Sequence, residues 1–252
     1  MDPADFYTGI VAELYSPLKS TSQWWEPYAE FIEAAGQPAL ELGCGEGEPL
    51  LELLRRGYDV DGVDSSQDML DRLQAGAADF GLTADLFCQR MEELDLDRKY
   101  RPISLAGPTI TLLADDSIVL AALVKIREHL AEGGGTALVP LFVPSPTARD
   151  RFGEVKETTD LTGAVLRIST VGQTRDDETR TQRTMLRYEK HADGGATVED
   201  RLWLPHWHTP EGFENLAGRA GLRVTATDER SGRIGMAGSE WTVLLQPVDA
   251  RR

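Results

Sequence analysis

The spacing of apolar residues switches between a helical and an alternating period along this chain, and the switches outline its elements. Trp24, Trp25, Tyr28, Phe31 and Ile32 recur at helical spacing after Thr21 and Ser22, which predicts an amphipathic helix over residues 22–35 closed by Gly36. Ala39 to Leu42 reads as a short buried strand, Pro49 suits the first turn of a following helix, and Asp59 to Val63 returns as a second strand. Ser66 is placed to cap a helix whose inner side carries Met69, Leu70 and Leu73. Ala84 to Cys88 and Ile103 to Ala106 follow as third and fourth strands. Asp116 opens a helix bearing Val119, Leu120, Leu123, Ile126 and Leu130, which ends at Gly133 to Gly135 and feeds the strand Thr136 to Phe142. Such alternation predicts an α/β fold with a mostly parallel sheet.

After Pro144 and Pro146 the alternating period takes over. Ala164 to Val171, Thr181 to Glu189 and Thr197 to Leu204 read as strands separated by turn residues, and together predict an antiparallel, β-rich insert after the fifth strand. Thr209 and Pro210 then open a last helix with Phe213, Leu216 and Ala217 inward, and Leu222 to Thr227 and Trp241 to Leu245 form a terminal strand pair. The length of 252 residues suits one α/β domain carrying an elaboration.

Composition narrows the partners. With 41% hydrophobic and 27% charged residues the chain is ordinary for a soluble protein, and no apolar run is long enough to cross a bilayer. The opening Met-Asp-Pro-Ala-Asp is acidic where a signal peptide needs a cationic segment, so a cytoplasmic protein without membrane contact is expected. A net charge of -16 argues against nucleic acid, whose binding requires a basic patch. Cys44 and Cys88 are the two cysteines, and neither has metal-ligand spacing to a histidine or to the other, so no disulfide and no metal site is expected.

The candidate chemistry begins at Gly43, Gly45 and Gly47, directly after the first strand, where absent side chains let a ligand approach the backbone. Three ligands commonly use such a loop: a nucleoside triphosphate, a dinucleotide or S-adenosylmethionine. The first needs a Gly-Lys-Ser/Thr ending, whereas Gly47 is followed by Glu48 and Pro49. A dinucleotide presents a pyrophosphate, which Glu41, Glu46 and Glu48 would repel. A cationic ligand is favoured.

With these residues in view, the chain resembles the class I S-adenosylmethionine-dependent methyltransferases. The resemblance rests on Glu41-Leu-Gly-Cys-Gly-Glu-Gly47, Asp64-Ser-Ser-Gln-Asp-Met69 and Leu130-Ala-Glu-Gly-Gly-Gly135, in that order and spacing, and covers nearly the whole chain. It implies a Rossmann-like fold: a mostly parallel seven-stranded sheet with an antiparallel terminal strand. It divides a single methyltransferase domain into an N-terminal lid and first helix (1–35), a cofactor-binding core (36–143), an insert covering the acceptor site (144–208), and the terminal helix and strand pair (209–252).

The resemblance also implies roles for single residues. Gly43, Cys44 and Gly45 would line the methionine part of S-adenosylmethionine, Glu41 would reach its ammonium group directly or through water, and Asp64 would accept from both ribose hydroxyls. Ser65 and Met69 would flank the adenine, although Met69 fits plain helix core equally well. Many relatives carry an Asp after the third strand; here Cys88-Gln89-Arg90-Met91-Glu92 departs from that pattern, and because Arg90 cannot accept a hydrogen bond, Gln89, Glu92 or the Met91 backbone is left to hold the adenine. Leu105 and Ala106, before Gly107-Pro108-Thr109, fall where relatives place the methylation centre. The stretch from Phe6 and Tyr7 to Tyr15 resembles an aromatic lid, with both tyrosines placed either to donate to cofactor or acceptor or to form a docking patch.

His206 and His208 flank Trp207 on an extended segment, so both imidazoles face one way; catalysis and plain bonding to loop backbone are both open. Arg183, Met185, Arg187, Arg201 and Trp203 alternate along the insert and would build an acceptor wall, an inter-subunit sheet in a homodimer, or a solvated layer. The expected function is methyl transfer to an amine or hydroxyl of a small molecule, such as an amino sugar in natural-product tailoring. The rivals are a catalytically silent cofactor-binding protein and a protein or RNA methyltransferase.

Overall fold

A computed structural model describes residues 5–19, 25–145, 153–230 and 238–248. In chain order it runs α1 (Ile10–Leu18), α2 (Glu26–Ala35), β1 (Ala39–Leu42), α3 (Leu50–Arg55), β2 (Val60–Asp64), α4 (Gln67–Asp79), β3 (Leu86–Cys88), β4 (Pro102–Leu105), α5 (Asp116–His129) and β5 (Thr136–Pro144). The insert follows as β6 (Val155–Thr159), β7 (Val165–Asp176), β8 (Thr181–Ala192) and β9 (Gly195–Trp203), and the chain closes with α6 (Pro210–Arg219), β10 (Leu222–Arg230) and β11 (Gly238–Pro247).

The main sheet has seven strands in the order β10-β11-β5-β4-β1-β2-β3. Strands β1 to β5 pair in parallel, whereas β11 runs antiparallel to both β5 and β10. This is the expected Rossmann-like arrangement with one reversed strand. All four residues of β1 are buried, as a central parallel strand covered on both faces requires. Its side chains alternate: Leu40 and Leu42 join a core with Val119, Leu123 and Ile126 of α5 and Phe213 and Leu216 of α6, while Ala39 packs with Ile32 of α2, Leu53 of α3 and Leu70 and Leu73 of α4.

Helix starts follow their capping residues. Ser66 Oγ accepts from the Met69 N–H, Asp115 from the Ser117 and Ile118 N–H groups, and Thr209 from the Gly212 N–H. Asp116 therefore occupies the first turn of α5 rather than its cap.

The insert is a separate four-stranded antiparallel sheet in the order β6-β7-β8-β9. Two elements go beyond the sequence reading. Strand β6, Val-Lys-Glu-Thr-Thr, is too polar to show an apolar alternation. Helix α1 carries Pro17 in its last turn and opens after Gly9 at φ 58, signals that usually break a helix. Packing overrides them: Ile10, Val11, Leu14 and Leu18 lie against Ala164, Leu166 and Tyr188 of the insert. Thr21, Ser22 and Trp24, together with Pro146, lie outside the described residues.

Candidate functional site

The glycine loop leaves β1 through a backbone turn that side chains would obstruct. The Gly43 and Cys44 N–H groups both donate to the Val63 carbonyl, at 2.8 and 3.1 Å, which folds the loop over the end of β2. Gly43 sits at φ +70, and a Cβ there would lie 2.5 Å from Thr109 Cγ2. The loop is thus wedged against the segment that follows β4, and Thr109 in turn donates through Oγ1 to the Ala106 carbonyl. Asp64 closes the other side: its Oδ2 accepts from the Gly45 N–H at 2.8 Å and its Oδ1 from the Ser66 N–H at 2.9 Å. Burial raises the pKa of the Asp64 carboxyl, against the pull of these backbone donors.

Beneath the loop lies Glu41. It shares the Ala39 side of β1, is 0% exposed, and among the described residues neither carboxylate oxygen has a hydrogen-bond partner. Burial, and next the charge of Asp64, push its pKa up to about 8, with Lys19 opposing. An unpaired buried carboxylate is costly to the fold, so a site that keeps one calls for a ligand bearing a cation or hydrogen-bond donors.

The N-terminal segment covers this loop. Tyr7 and Tyr15 meet edge to face at 5.5 Å, and Lys19 lies 5.0 Å over the Tyr15 ring while pairing with Glu48 at 2.7 Å. The Ser66 hydroxyl donates to the Tyr7 carbonyl at 2.6 Å and the Gly9 N–H to Asp68 Oδ2 at 2.6 Å, which ties the segment to the start of α4. Burial raises both phenol pKa values, so each hydroxyl is a neutral donor at pH 7. The segment is also docked by apolar packing on the insert, with Tyr7 against that layer.

The remaining sequence-predicted residues divide. Met69 is buried and its Cε lies 3.4 Å from where a Gly45 Cβ would stand, so it belongs to the helix core and backs the loop at once. The Ser65 carbonyl lies 3.7 Å from Cys88 Sγ, beside the end of β3. The Gln89 side chain is engaged with the Asp95 backbone, accepting from its N–H at 2.9 Å and donating to its carbonyl at 3.2 Å. Arg90 faces Asp5 at 3.6 Å. Met91 and Leu105 are buried in the core with Leu42, which leaves their backbones as the groups able to face a ligand. Cys44 is buried, and burial pushes its thiol well up, which makes it an inert thiol.

Residues that sequence reasoning passed over also meet here. The Tyr28 hydroxyl donates to the Leu105 carbonyl at 3.3 Å and accepts from the Gly107 N–H at 3.1 Å, clamping the exit of β4. It reads as one more core aromatic in a helical stripe, with no signal of this second duty. Lys19 stands among Tyr15, Glu46 and Glu48. Its cation lies next to an acidic loop, a juxtaposition that no local pattern displays.

His206 and His208 do face one point, and that point is Asp116. Both Nε2 atoms lie 2.9 Å from Asp116 Oδ1, and Arg180 holds Oδ2 at 2.5 Å. Burial outweighs the Asp116 contact and lowers the His208 pKa to about 4, so its ring is neutral at pH 7. Burial acts to raise the Asp116 pKa, but hydrogen bonds from His206, Arg180 and His208 hold it well below the usual carboxylate range. The other two histidines are structural. His129 Nε2 accepts from the Leu96 N–H at 3.0 Å, and His191 pairs with Glu189 in the insert.

A parallel sheet whose first strand ends in a glycine turn, with a carboxylate closing its second strand, defines a Rossmann-like ligand-binding protein. Residues 39–134 match the profile of a methyltransferase domain family. A candidate methyltransferase of Geobacillus sp. (strain WCH70) is 34% identical over 95 residues, a match that spans 38% of this chain and 38% of that relative. Among solved structures, the CcbJ methyltransferase of Streptomyces caelestis aligns over 99% of both chains with a TM-score of 0.74 at 21% identity. CalS10 of Micromonospora echinaspora, an amino pentose methyltransferase solved with bound S-adenosylmethionine, aligns over 94% of this chain and 97% of its own with a TM-score of 0.66 at 19% identity. The chain thus shares the fold of these solved methyltransferases, and its residues 39–134 resemble a methyltransferase domain.

Proposed function

We propose that the chain transfers a methyl group from S-adenosylmethionine to an amine or hydroxyl of a small molecule, an amino sugar or related secondary metabolite being the favoured acceptor. The observation that carries this reading is Glu41, a fully buried carboxylate beside a glycine loop whose two oxygens have no partner among the described residues. S-adenosylmethionine supplies an ammonium group suited to that carboxylate and, at its sulfonium, the methyl to be transferred. Asp64 would accept from the ribose hydroxyls with the lone pairs its backbone donors leave free. Gly43, Cys44 and Gly45 would lie along the methionine chain, Ser65 and Met69 along the adenine, and Tyr7 and Tyr15 would cover the site as neutral donors. With the Gln89 side chain turned to Asp95, Glu92 or the Met91 backbone would hold the adenine edge. Leu105 and Ala106 would flank the transferred group.

Displacement at a sulfonium needs alignment and exclusion of water more than a strong base. Helix α1 and the insert share one apolar layer, and would serve the second requirement if the insert covers the acceptor. His206 and His208 stand at the return from the insert, where they would bind or deprotonate the acceptor. The neighbour CalS10 acts on an amino pentose, which favours a sugar acceptor. The test is transfer of a labelled methyl group from S-adenosylmethionine to a panel of amino sugars and hydroxylated small molecules, with peptides and RNA as rivals. Label on an amino sugar or other small molecule supports the reading; label confined to peptide or RNA, or to nothing despite cofactor binding, overturns it.

A further inference from the structure

Asp116 joins His206 and His208 in one cluster, and the methyl-transfer reading gives a role to the two imidazoles but none to the carboxylate between them. They come from segments 90 residues apart, yet their ligand-capable atoms all lie within 4.8 Å of one another. We propose that Oδ1 of Asp116 and the Nε2 atoms of His206 and His208 bind one divalent first-row transition-metal ion, of the zinc or cobalt type.

The two nitrogen-to-oxygen separations fit such an ion. Each Nε2 is 2.9 Å from Oδ1, and the two rings stand at 89° with centroids 4.6 Å apart. Adjacent ligands on an octahedral ion with bonds of about 2.1 Å are separated by roughly 3.0 Å, and two imidazoles with one carboxylate are a recurrent three-ligand face. Without an ion, one carboxylate oxygen receives both rings. An ion converts the shared contacts into bonds.

The ligands are also held by contacts outside the cluster. The His206 N–H donates to the Thr111 carbonyl at 2.8 Å, the Trp207 N–H to the Arg180 carbonyl at 3.0 Å, and the Gln182 N–H to the Pro205 carbonyl at 3.0 Å. The Arg175 guanidinium lies 4.1 Å over the Trp207 ring between the two histidines. Both imidazoles are buried, whereas the Asp116 side chain is 45% exposed, which opens the cluster to solvent on one side. Arg180 bonds only Oδ2 and leaves Oδ1 to the ion. Among the described residues it is the one non-glycine residue at positive φ, at 54, so the hairpin carries backbone strain where it delivers this cation. Its charge disfavours a second cation, and its removal should tighten metal binding.

The site shares His206 and His208 with the acceptor role proposed above, and it is tested without any acceptor, so that its failure and the failure of that role are distinguishable. The full chain is stripped with chelator and titrated with Co²⁺, Zn²⁺ and Mg²⁺. One Co²⁺ or Zn²⁺ per chain, bound with micromolar or tighter affinity and not displaced by Mg²⁺, is expected, since imidazole ligands select against the harder ion. His206→Gln and His208→Gln should each weaken binding by at least about 30-fold, and Arg180→Gln should not weaken it. In wild-type chain labelled with ¹⁵N-histidine, Zn²⁺ should shift the resonances of two histidines and leave those of His129 and His191 in place, a readout independent of how the variants fold. Less than one equivalent bound at about 100 μM metal, binding of Mg²⁺ alone, or shifts confined to His129 and His191 would overturn the proposal.

Discussion

Replacing Glu41 by Gln separates what the fold needs from what the ligand needs. The carboxyl of Glu41 titrates near 4.5 in an unfolded chain and near 8 in the folded one, because burial penalises its charged form. Between those values the folded chain holds a proton that the unfolded chain has released. Stability must therefore fall as pH rises through this window: the contribution is complete below about pH 4.5 and gone above about pH 8. At about 1.4 kcal/mol per pH unit the whole loss has an upper bound of about 5 kcal/mol, and relaxation around the buried charge leaves an expected loss of about 2–4 kcal/mol. Glutamine cannot ionise and has no such slope. Urea unfolding of both ligand-free chains at about pH 5, 7 and 9 measures the difference directly. The wild type should lose about 2–4 kcal/mol relative to Glu41→Gln between the first and last of these. The same substitution should weaken S-adenosylmethionine by about 10- to 150-fold, the equivalent of 1.5–3 kcal/mol for a hydrogen bond to a charged group. Binding to the wild type at about pH 7 should release close to one proton, since the ligand's cation draws Glu41 into its ionised form. Parallel pH profiles for the two chains, with no proton released, would refute the reasoning.

Asp64→Ala should weaken S-adenosylmethionine by about 1–3 kcal/mol in a calorimetric titration, because it removes a proposed ribose acceptor and frees the Gly45 N–H of the loop. Gly43→Ala meets Thr109 at 2.5 Å and a positive φ, so thermal unfolding should show a loss of about 1–3 kcal/mol; Thr109→Ser in the same chain removes the clashing methyl and should restore part of it. Leu14→Ala opens a cavity between α1 and the insert and should cost about 2–5 kcal/mol locally, read as faster amide exchange in residues 10–18 with β1 and β4 unchanged. Asp61→Ala strands the Tyr100 hydroxyl and one side of the Arg98 guanidinium; a loss of about 3–5 kcal/mol in denaturant unfolding is expected, with cofactor affinity preserved in the folded fraction.

The parts of this molecule that sequence reading reaches are those whose signal is local. Parallel strands show as short apolar runs, caps as Ser66 and Thr209 before helical periods, and the glycine loop as three glycines within five residues. Helix α1 escaped because its stability comes from the insert's Ala164, Leu166 and Tyr188, more than 140 residues away, and not from its own propensity. Strand β6 escaped because it sits at the edge of a largely solvated sheet, where polar residues are tolerated.

Within the site the same division holds. Glu41 shows in sequence as an acid before a glycine loop, but its isolation, both oxygens buried and without a partner among the described residues, is a property of the assembled sheet. The altered stretch after β3 was visible as Arg90 where an acid is common, and the Gln89 contact with Asp95 adds that one substitute offered by the sequence is already in use. His206 and His208 were paired by their two-residue spacing, whereas Asp116 and Arg180, which set their geometry, lie 90 and 26 residues from His206 along the chain. Only folding places them together.

The central claim is that the pocket of Glu41 and Asp64 holds S-adenosylmethionine, and calorimetric titration of the full chain with S-adenosylmethionine, S-adenosylhomocysteine and NAD measures it most directly. We expect the first two to bind one per chain, both weakened by Glu41→Gln, and NAD not to bind. Binding of NAD alone, or of none of the three, would contradict the account.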